Sequence, residues 1–433
     1  MASLATTDYA SPVAATPPGI AAIQRALMWA VGAGGAIVFI EPSPYELVTL
    51  AAVIFFFATG LRMRPIFIPL LILLFFLNMG YTICSIYLLD KKEILNWILT
   101  SWYLAITAMF FAMVLSEDTA SRLEYLRRGL IFGALIAALA GIAGYFHLVP
   151  SSGYDLFTLY SRARGTFKDP NVLGAYLILP ALFLLQNIVT RPFSKSFGSV
   201  IGLGVISLAV LLAFSRASWG QLVVCSALML MLMYVTTPSP TQRARIVTVA
   251  IAAAICTALL LVALLSFDSI GGLFKERASF NQSYDTGRFG RFGRHALGFQ
   301  MALELPLGIG PLQFTKFFPE DTHNSFLNAF MSGGWIAGIC FPALVFITVI
   351  MGFKLIFVRV PWQRTYLAIF AAFFGTVCEA IIIDVDHWRH FWMMLGIMWA
   401  MFAAAHAYTY RARTLDAPRS ENPEFLWTGK YSV

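Results

Sequence analysis

Residues 246–267 read IVTVAIAAAICTALLLVALLSF, twenty-two positions without a charge. A helix of that length is about 33 Å long at 1.5 Å per residue, and the hydrocarbon core of a bilayer is about 30 Å thick. A helix apolar on every side must be buried in a large protein core or in lipid. The same pattern recurs outward in both directions, with further apolar segments at about 20–40, 45–61, 65–89, 94–115, 129–149, 171–190, 197–214, 217–236, 324–352, 365–383 and 388–409. Only Ser215, Arg216 and Ala217 stand between the seventh and eighth of the twelve segments. The 433 residues are 59% hydrophobic and 12% charged, and soluble chains carry about 25% charged residues. A soluble body on a single anchor is excluded. The expected fold is an all-α polytopic membrane protein of about twelve transmembrane helices.

The tails and cysteines add little to this plan. Residues 1–19 are polar and contain Pro12, Pro17 and Pro18, without a basic region leading into a cleavable signal. They read as a tail, 20–409 as one transmembrane domain, and 410–433 as a second tail. Cys84, Cys225, Cys256, Cys340 and Cys378 are scattered singly through apolar segments, which indicates neither a disulfide framework nor a zinc site.

The loops fix an orientation. One set is short and basic: Arg62 and Arg64; Arg122, Arg127 and Arg128; Arg191 and Lys195; Arg243 and Arg245; Lys354, Arg359 and Arg364; Arg411, Arg413 and Arg419. The other set is balanced, acidic or long. Lys and Arg in short loops mark the cytoplasmic side. Both termini are then cytoplasmic, and one large periplasmic loop, 268–323, lies between the ninth and tenth helices. The same rule puts residues 150–170, Ser215–Ala217 and Asp384–Arg389 on the outer side too. That side carries Arg162, Arg164, Lys168, Arg216, Arg288, Arg291, Arg294 and Arg389, more cations than the rule allows. Guanidinium groups gathered at a membrane edge suit an anionic ligand, and phosphate matches the planar Arg fork.

Individual outer motifs refine this. Asp169-Pro170 reads as a helix start, a side-chain cap followed by proline in the first turn, so these residues and Asn171 have a structural explanation. Arg162 and Arg164 stand just before that anion-favouring helix N-terminus. Arg216 either snorkels to headgroups or is fixed by two helix ends to point into a cavity. Arg288, Arg291 and Arg294 recur every third residue with Gly and Phe between them. Nucleic acid is not the expected partner, because the chain has no other basic stretch of this kind. Pro306-Leu307-Gly308-Ile309-Gly310-Pro311 reads as a rigid turn, since its GxG lacks a preceding strand and a third glycine. Asp321-Thr322-His323-Asn324 places an imidazole beside a carboxylate at the membrane edge, a pairing suited to proton transfer. Asp384-Val385-Asp386-His387-Trp388-Arg389-His390 is either a divalent-metal motif or a hydrogen-bonded clamp in which Arg389 answers the aspartates.

These residues resemble the superfamily of bacterial O-antigen ligases and O-antigen polymerases. The resemblance runs over about residues 160–390. It rests on Arg162-x-x-Gly165-x-Phe167-x-x-Pro170-Asn171 before a span, Ser215-Arg216 between two spans, and a large loop ending His323-Asn324-Ser325-Phe326-Leu327. The resemblance implies transfer of a glycan from undecaprenyl diphosphate to an acceptor sugar at the periplasmic face of the inner membrane, with inversion and without metal or other cofactor. It further implies that Arg216 and Arg288 grip the diphosphate and that His323 activates the acceptor hydroxyl. Arg162 or Arg164 would be a further substrate-side cation. Arg291, Asn324, Asp386 and Arg389 complete the candidate substrate-binding set, although the Asp384-x-Asp386 motif is not part of the family pattern and its role is open. The expected partners are the lipid-linked donor, a glycan acceptor and membrane lipids. The acceptor is lipid A core for a ligase and a lipid-linked repeat for an O-antigen or exopolysaccharide polymerase. The compact His323-Asn324-Ser325 motif favours the ligase. The rival from another class is a secondary transporter or lipid-linked sugar flippase, for which the longest loop should be cytoplasmic and central. Here it is outer and follows the ninth span.

Overall fold

The computed structural model describes residues 17–40, 42–150, 156–267, 271–272, 274 and 287–416. Each of the twelve apolar segments carries a helix. In chain order these are α1 (Pro18–Gly34), α2 (Pro44–Ala58), α3 (Ile68–Cys84), α4 (Lys92–Leu115), α5 (Thr119–Tyr145), α6 (Pro170–Thr190), α7 (Phe193–Leu212), α8 (Arg216–Thr236) and α9 (Pro240–Leu265). After α10 (Arg291–Glu304), which lies within the expected outer loop, come α11 (Ser325–Leu355), α12 (Gln363–Glu379) and α13 (Arg389–Asp416). Among the described residues, nine helices are long and apolar enough to cross a membrane. α1, α2 and α12, at 17, 15 and 17 residues, are shorter. The structure therefore bears out an all-α polytopic membrane protein.

Local chemistry sets the helix ends. Asp169 accepts from the Asn171 amide at 2.7 Å and Pro170 opens α6, as the sequence predicts. Phe214, at φ +46°, turns the chain between α7 and α8, and Ser215 caps α8 by accepting from the Ser218 amide. The narrow division between the seventh and eighth segments is thus a real helix break. Ser43 and Glu46 form a capping box on α2. Within it the Ser43 amide donates to Glu46 Oε2 at 2.8 Å, which satisfies one backbone donor at the helix start.

Small residues bring helices together, as expected where lipid supplies no hydrophobic drive between them. α1 packs most closely on α5: a Cβ on Gly32 would lie 2.5 Å from the Leu126 carbonyl oxygen, and one on Gly129 would overlap the Trp29 carbonyl. Gly80 of α3 meets α11 in the same way, where a Cβ would be 2.8 Å from the Ala337 amide nitrogen. α6 and α13 are the most buried spanning helices, and α9 is almost wholly exposed on the outside of the bundle. So α6 and α13 form the centre and α9 faces the lipid.

Two features break this regularity. α11 is interrupted at Gly333 and Gly334, the latter at φ +61° and ψ −161°. The turn 306–311 fills the interruption: the Met331 carbonyl accepts from the Ile309 and Gly310 amides at 2.7 and 3.1 Å, and the Trp335 amide donates to the Pro306 carbonyl. From Trp335 to Leu355 the helix is about 31 Å long, enough to span alone. The first two turns of α11 therefore lie beyond the length that a span needs. The second feature is a small antiparallel hairpin, Thr158–Leu159 with Arg162–Ala163. Tyr160 and Ser161 both have positive φ in its two-residue turn, the backbone a tight hairpin requires.

Candidate functional site

His323 sits at the end of the connection 305–324 between α10 and α11, at φ +47°. A non-glycine residue there is strained, and the surroundings hold it in place. Asp384 does most of this work. Its Oδ2 accepts from the His323 amide at 2.9 Å, and its Oδ1 accepts from the Asn324 amide and the Thr322 hydroxyl, each at 2.9 Å. The Asn324 side chain caps α11 by accepting from the Leu327 amide and donates to the Ile381 carbonyl, both at 2.9 Å. Ser325 adds a bond to the Ile383 carbonyl and accepts from the Val385 amide. The linker before α11 and the linker after α12 are thus sewn together by side chains about sixty residues apart.

The imidazole itself is partly open, at 36% exposure, with Nδ1 3.9 Å from Asp384 Oδ2. That separation is electrostatic contact rather than a hydrogen bond. Burial lowers the His323 pKa, the nearby Arg291 and Arg294 guanidinium groups lower it further, and Glu320 and Asp321 oppose them. The ring is therefore neutral at neutral pH. Burial raises the Asp384 pKa, with the adjacent Asp386 and then Asp321 adding to it, and its hydrogen-bond donors offset part of the shift.

The other aspartate of the pair is also engaged. Asp386, buried, accepts from Asn328 Nδ2 at 3.0 Å and meets His387 Nδ1 at 3.0 Å, and its carbonyl accepts from the Trp392 indole. Among the described residues no three His, Cys, Asp or Glu side chains gather as a metal set. The clamp is the arrangement found for this motif. One part of that expectation is corrected. Arg389 does not answer the aspartates but pairs with Glu46 of α2, through Nε at 3.1 Å and through Nη2. Glu46 was available because its other oxygen caps α2.

The candidate arginines fall into two kinds. Arg162 is buried and braced, its Nε donating to the Ala213 carbonyl and its Nη2 to Asn171 Oδ1, both at 2.8 Å. It ties the hairpin to the end of α7 and the start of α6, a structural task that the sequence reading did not assign to it. Arg164 bonds the Leu156 and Lys168 carbonyls at 3.2 and 3.3 Å. Arg216 opens α8, Arg291 opens α10, and Arg288 is exposed with its guanidinium 5.7 Å from the Phe289 ring centroid.

Arg216 and His323 share one end of the bundle. Gln221 of α8 donates to Thr376 of α12 at 3.0 Å, and these helices run antiparallel. Five residues back from Gln221, about 7.5 Å, is Arg216; four residues on from Thr376, about 6 Å, is Ala380. The Ala380 carbonyl accepts from the Ser325 amide at 2.8 Å, two residues from His323. Arg291 joins the same region by its effect on the His323 ring. Arg288 stands three residues before Arg291, with its guanidinium toward the Phe289 ring.

Asn328, Glu320 and His295 escaped sequence reading. Asn328 lies one turn after Asn324 on α11, a spacing that marks a shared face. Arg294 and Glu320 form a 2.6 Å ion pair under the His323 linker, and His295 reaches the Thr322 carbonyl at 2.9 Å.

The fold and the site define a multi-pass helical membrane protein with cations, an imidazole and a carboxylate clamp at one end. Residues 201–341 match the family described as O-antigen ligase, a stretch holding Arg216, Arg288, Arg291, His323 and Asn324. The match supports the O-antigen ligase and polymerase superfamily that the sequence resembles, and with it glycan transfer of the ligase or polymerase type. No curated protein matches the chain.

Proposed function

We propose that this protein transfers a glycan from undecaprenyl diphosphate to an acceptor sugar at the periplasmic face of the bacterial inner membrane, with lipid A core as the acceptor. The observation that carries the proposal is the neutral, partly exposed imidazole of His323, fixed by Asp384 at the end of the bundle that also holds Arg216. In this reaction the acceptor oxygen attacks the anomeric carbon from the face opposite the diphosphate. The carbon–oxygen bond to the diphosphate breaks, undecaprenyl diphosphate leaves with the electron pair, and the configuration inverts. The acceptor proton passes to His323, whose Nε2 faces the substrate while the Asp384 carboxyl lies on the Nδ1 side. A positioned base contributes about 10²–10⁴ in rate.

The leaving group gains charge as the bond breaks. Arg216 and Arg288 are assigned to the diphosphate, and Arg291 supplies a third cation near His323. A well-placed donor of this kind is worth about 3–4 kcal/mol of transition-state stabilisation. Arg162, Asn324, Asp386 and Arg389 are reassigned from substrate binding to holding the site, because their polar atoms bond to protein groups. Three guanidinium groups at the diphosphate are what make the reaction metal-independent in this proposal. Both termini are cytoplasmic and twelve helices cross, as the basic loops indicate.

The test is a gel of surface polysaccharide from a deletion strain complemented with wild type or His323→Ala. Core-only lipopolysaccharide with long glycan retained on the carrier supports ligation. Core carrying one repeat, or loss of a secreted polymer with normal lipopolysaccharide, replaces it with polymerisation. Restoration by a normally inserted His323→Ala protein removes His323 as the base. Loss of in vitro transfer on adding EDTA removes metal independence.

A further inference from the structure

A cavity of about 140 Å³ lies between the end of α1, the start of α2, the middle of α5, the start of α6 and the start of α13. Aromatic rings make much of its wall: Tyr45, Phe167, Tyr176 and Trp388. Polar groups alternate with them, from Lys168, His387, Arg389 and His390. No carboxylate lines it.

Three side chains of the wall, Tyr45, Tyr176 and His390, hold a polar atom with no hydrogen-bond partner among the described residues. Tyr176 is 3% exposed and His390 7% exposed, yet the Tyr176 hydroxyl and His390 Nε2 have no hydrogen-bond partner among the described residues. Their rings stand 5.9 Å apart, edge to face. A buried polar group without a partner costs free energy comparable to a lost hydrogen bond, so such a pair in a cavity wall calls for a ligand that completes it. An acyl chain would fill the space and leave both atoms unpaired. A ligand with an apolar face and a hydroxylated edge would satisfy the rings and the polar atoms together.

We propose that this cavity is a saccharide subsite, taking one pyranose ring of a glycan bound to the protein. The ring's C–H face lies on the aromatic wall and its hydroxyls reach Tyr176, His390 and Lys168. The inference deepens the transferase reading and rests on it. Asp384 holds the His323 backbone and Trp388 lines the cavity four residues later, at most about 14 Å along the chain. The same short segment of chain thus reaches both the His323 backbone and the cavity wall. None of the lining residues falls within the 201–341 family match. The subsite is where glycan selectivity particular to this chain would reside, apart from the shared donor chemistry.

The experiment uses the full chain in lipid nanodiscs and reads saturation-transfer NMR with methyl glucoside, N-acetylglucosamine and glucuronate as probes. Gly35 lines the cavity in ordinary helical backbone, and a Cβ there is 3.5 Å or more from its neighbours, so Gly35→Leu fills the space without disturbing the fold. Tyr176→Phe removes one hydroxyl and keeps the ring. Wild type gives a transfer signal with at least one probe, Gly35→Leu abolishes it, and Tyr176→Phe weakens binding about tenfold, as loss of a hydrogen bond worth near 1.4 kcal/mol would. In a transfer assay Gly35→Leu raises KM about tenfold and leaves kcat within about twofold, the pattern for lost binding away from the reacting atoms. His323→Ala loses turnover and keeps the NMR signal, which separates the subsite from the proposed base. No signal from any probe with wild type, or equal signals from wild type and Gly35→Leu, overturns the subsite. A saccharide signal that survives while His323→Ala transfers normally overturns the base assignment instead.

Discussion

At the scale of single residues, His323 and its neighbours make opposite demands. The base must be neutral to accept a proton, and Arg291 and Arg294, together with burial, keep it so. Because its folded pKa lies below the unfolded value, protonation of the ring works against both activity and the native state as pH falls. The activity profile should therefore hold at and below pH 6.5 and fall only on its acid side. In Arg291→Gln a lowering influence is lost, the His323 pKa rises, and the acid limb of kcat/KM moves to higher pH. A limb that stays in place would show that some other group sets it. Asp384 makes a complementary prediction. All its oxygens accept from the linker, so Asp384→Asn turns one oxygen into a donor facing an N–H. The variant should insert normally and lose about tenfold or more in kcat, because a displaced catalytic group costs alignment. His323→Gly offers a stability counterpart. It relieves a left-handed residue worth about 1 kcal/mol and should raise the thermal midpoint while abolishing transfer.

At the scale of elements, the sequence carried the helices but not what joins them. A run of twenty apolar residues identifies a spanning helix because lipid imposes one length, so each of the twelve segments carries a helix, although α5 begins at Thr119 and takes in Arg122, Arg127 and Arg128, expected in a loop. The break in α11 was not legible in this way. Gly333 and Gly334 sit inside an apolar run, and their backbone conformation follows from the 306–311 turn bonding to Met331 and Trp335 across the chain. Pairings of that kind are also why Asp384 was left between metal and clamp. Its partners are some sixty residues away, and no local periodicity reports them. His323, Arg216 and Asn324 were legible because a polar residue at a membrane edge stands out against an apolar background. Glycine packing supplies the prediction at this scale. Gly129 lies against the Trp29 carbonyl, and Gly133 and Gly32 continue the same α1–α5 seam. Gly129→Leu should force the two helices apart, destabilise by about 1–3 kcal/mol and lower the detergent melting temperature. The same change at Gly204, where nothing lies within 4 Å, should leave it within error of wild type.

At the scale of the whole molecule, the orientation joins the chemistry to a compartment, and only the proposed outer side makes a periplasmic transferase. The argument for that side comes from short basic loops, which hold Lys and Arg in the cytoplasm. Against it stands the cluster of arginines on the opposite face, which the ligand reading explains and a reversed topology would not need to explain. Two exposed residues decide between them. Tyr160, in the hairpin turn before α6, is 79% exposed, and Phe357, between α11 and α12, is 68% exposed. Cysteines at these positions, in a chain whose five native cysteines are changed to Ala or Ser, report their compartment directly. A membrane-impermeant maleimide applied to intact spheroplasts should label Tyr160→Cys, and should reach Phe357→Cys only after permeabilisation. The reverse pattern would put His323, Arg216 and the saccharide cavity in the cytoplasm. There, donors built on nucleotide carriers compete for any such site, and transfer onto a periplasmic acceptor could not occur.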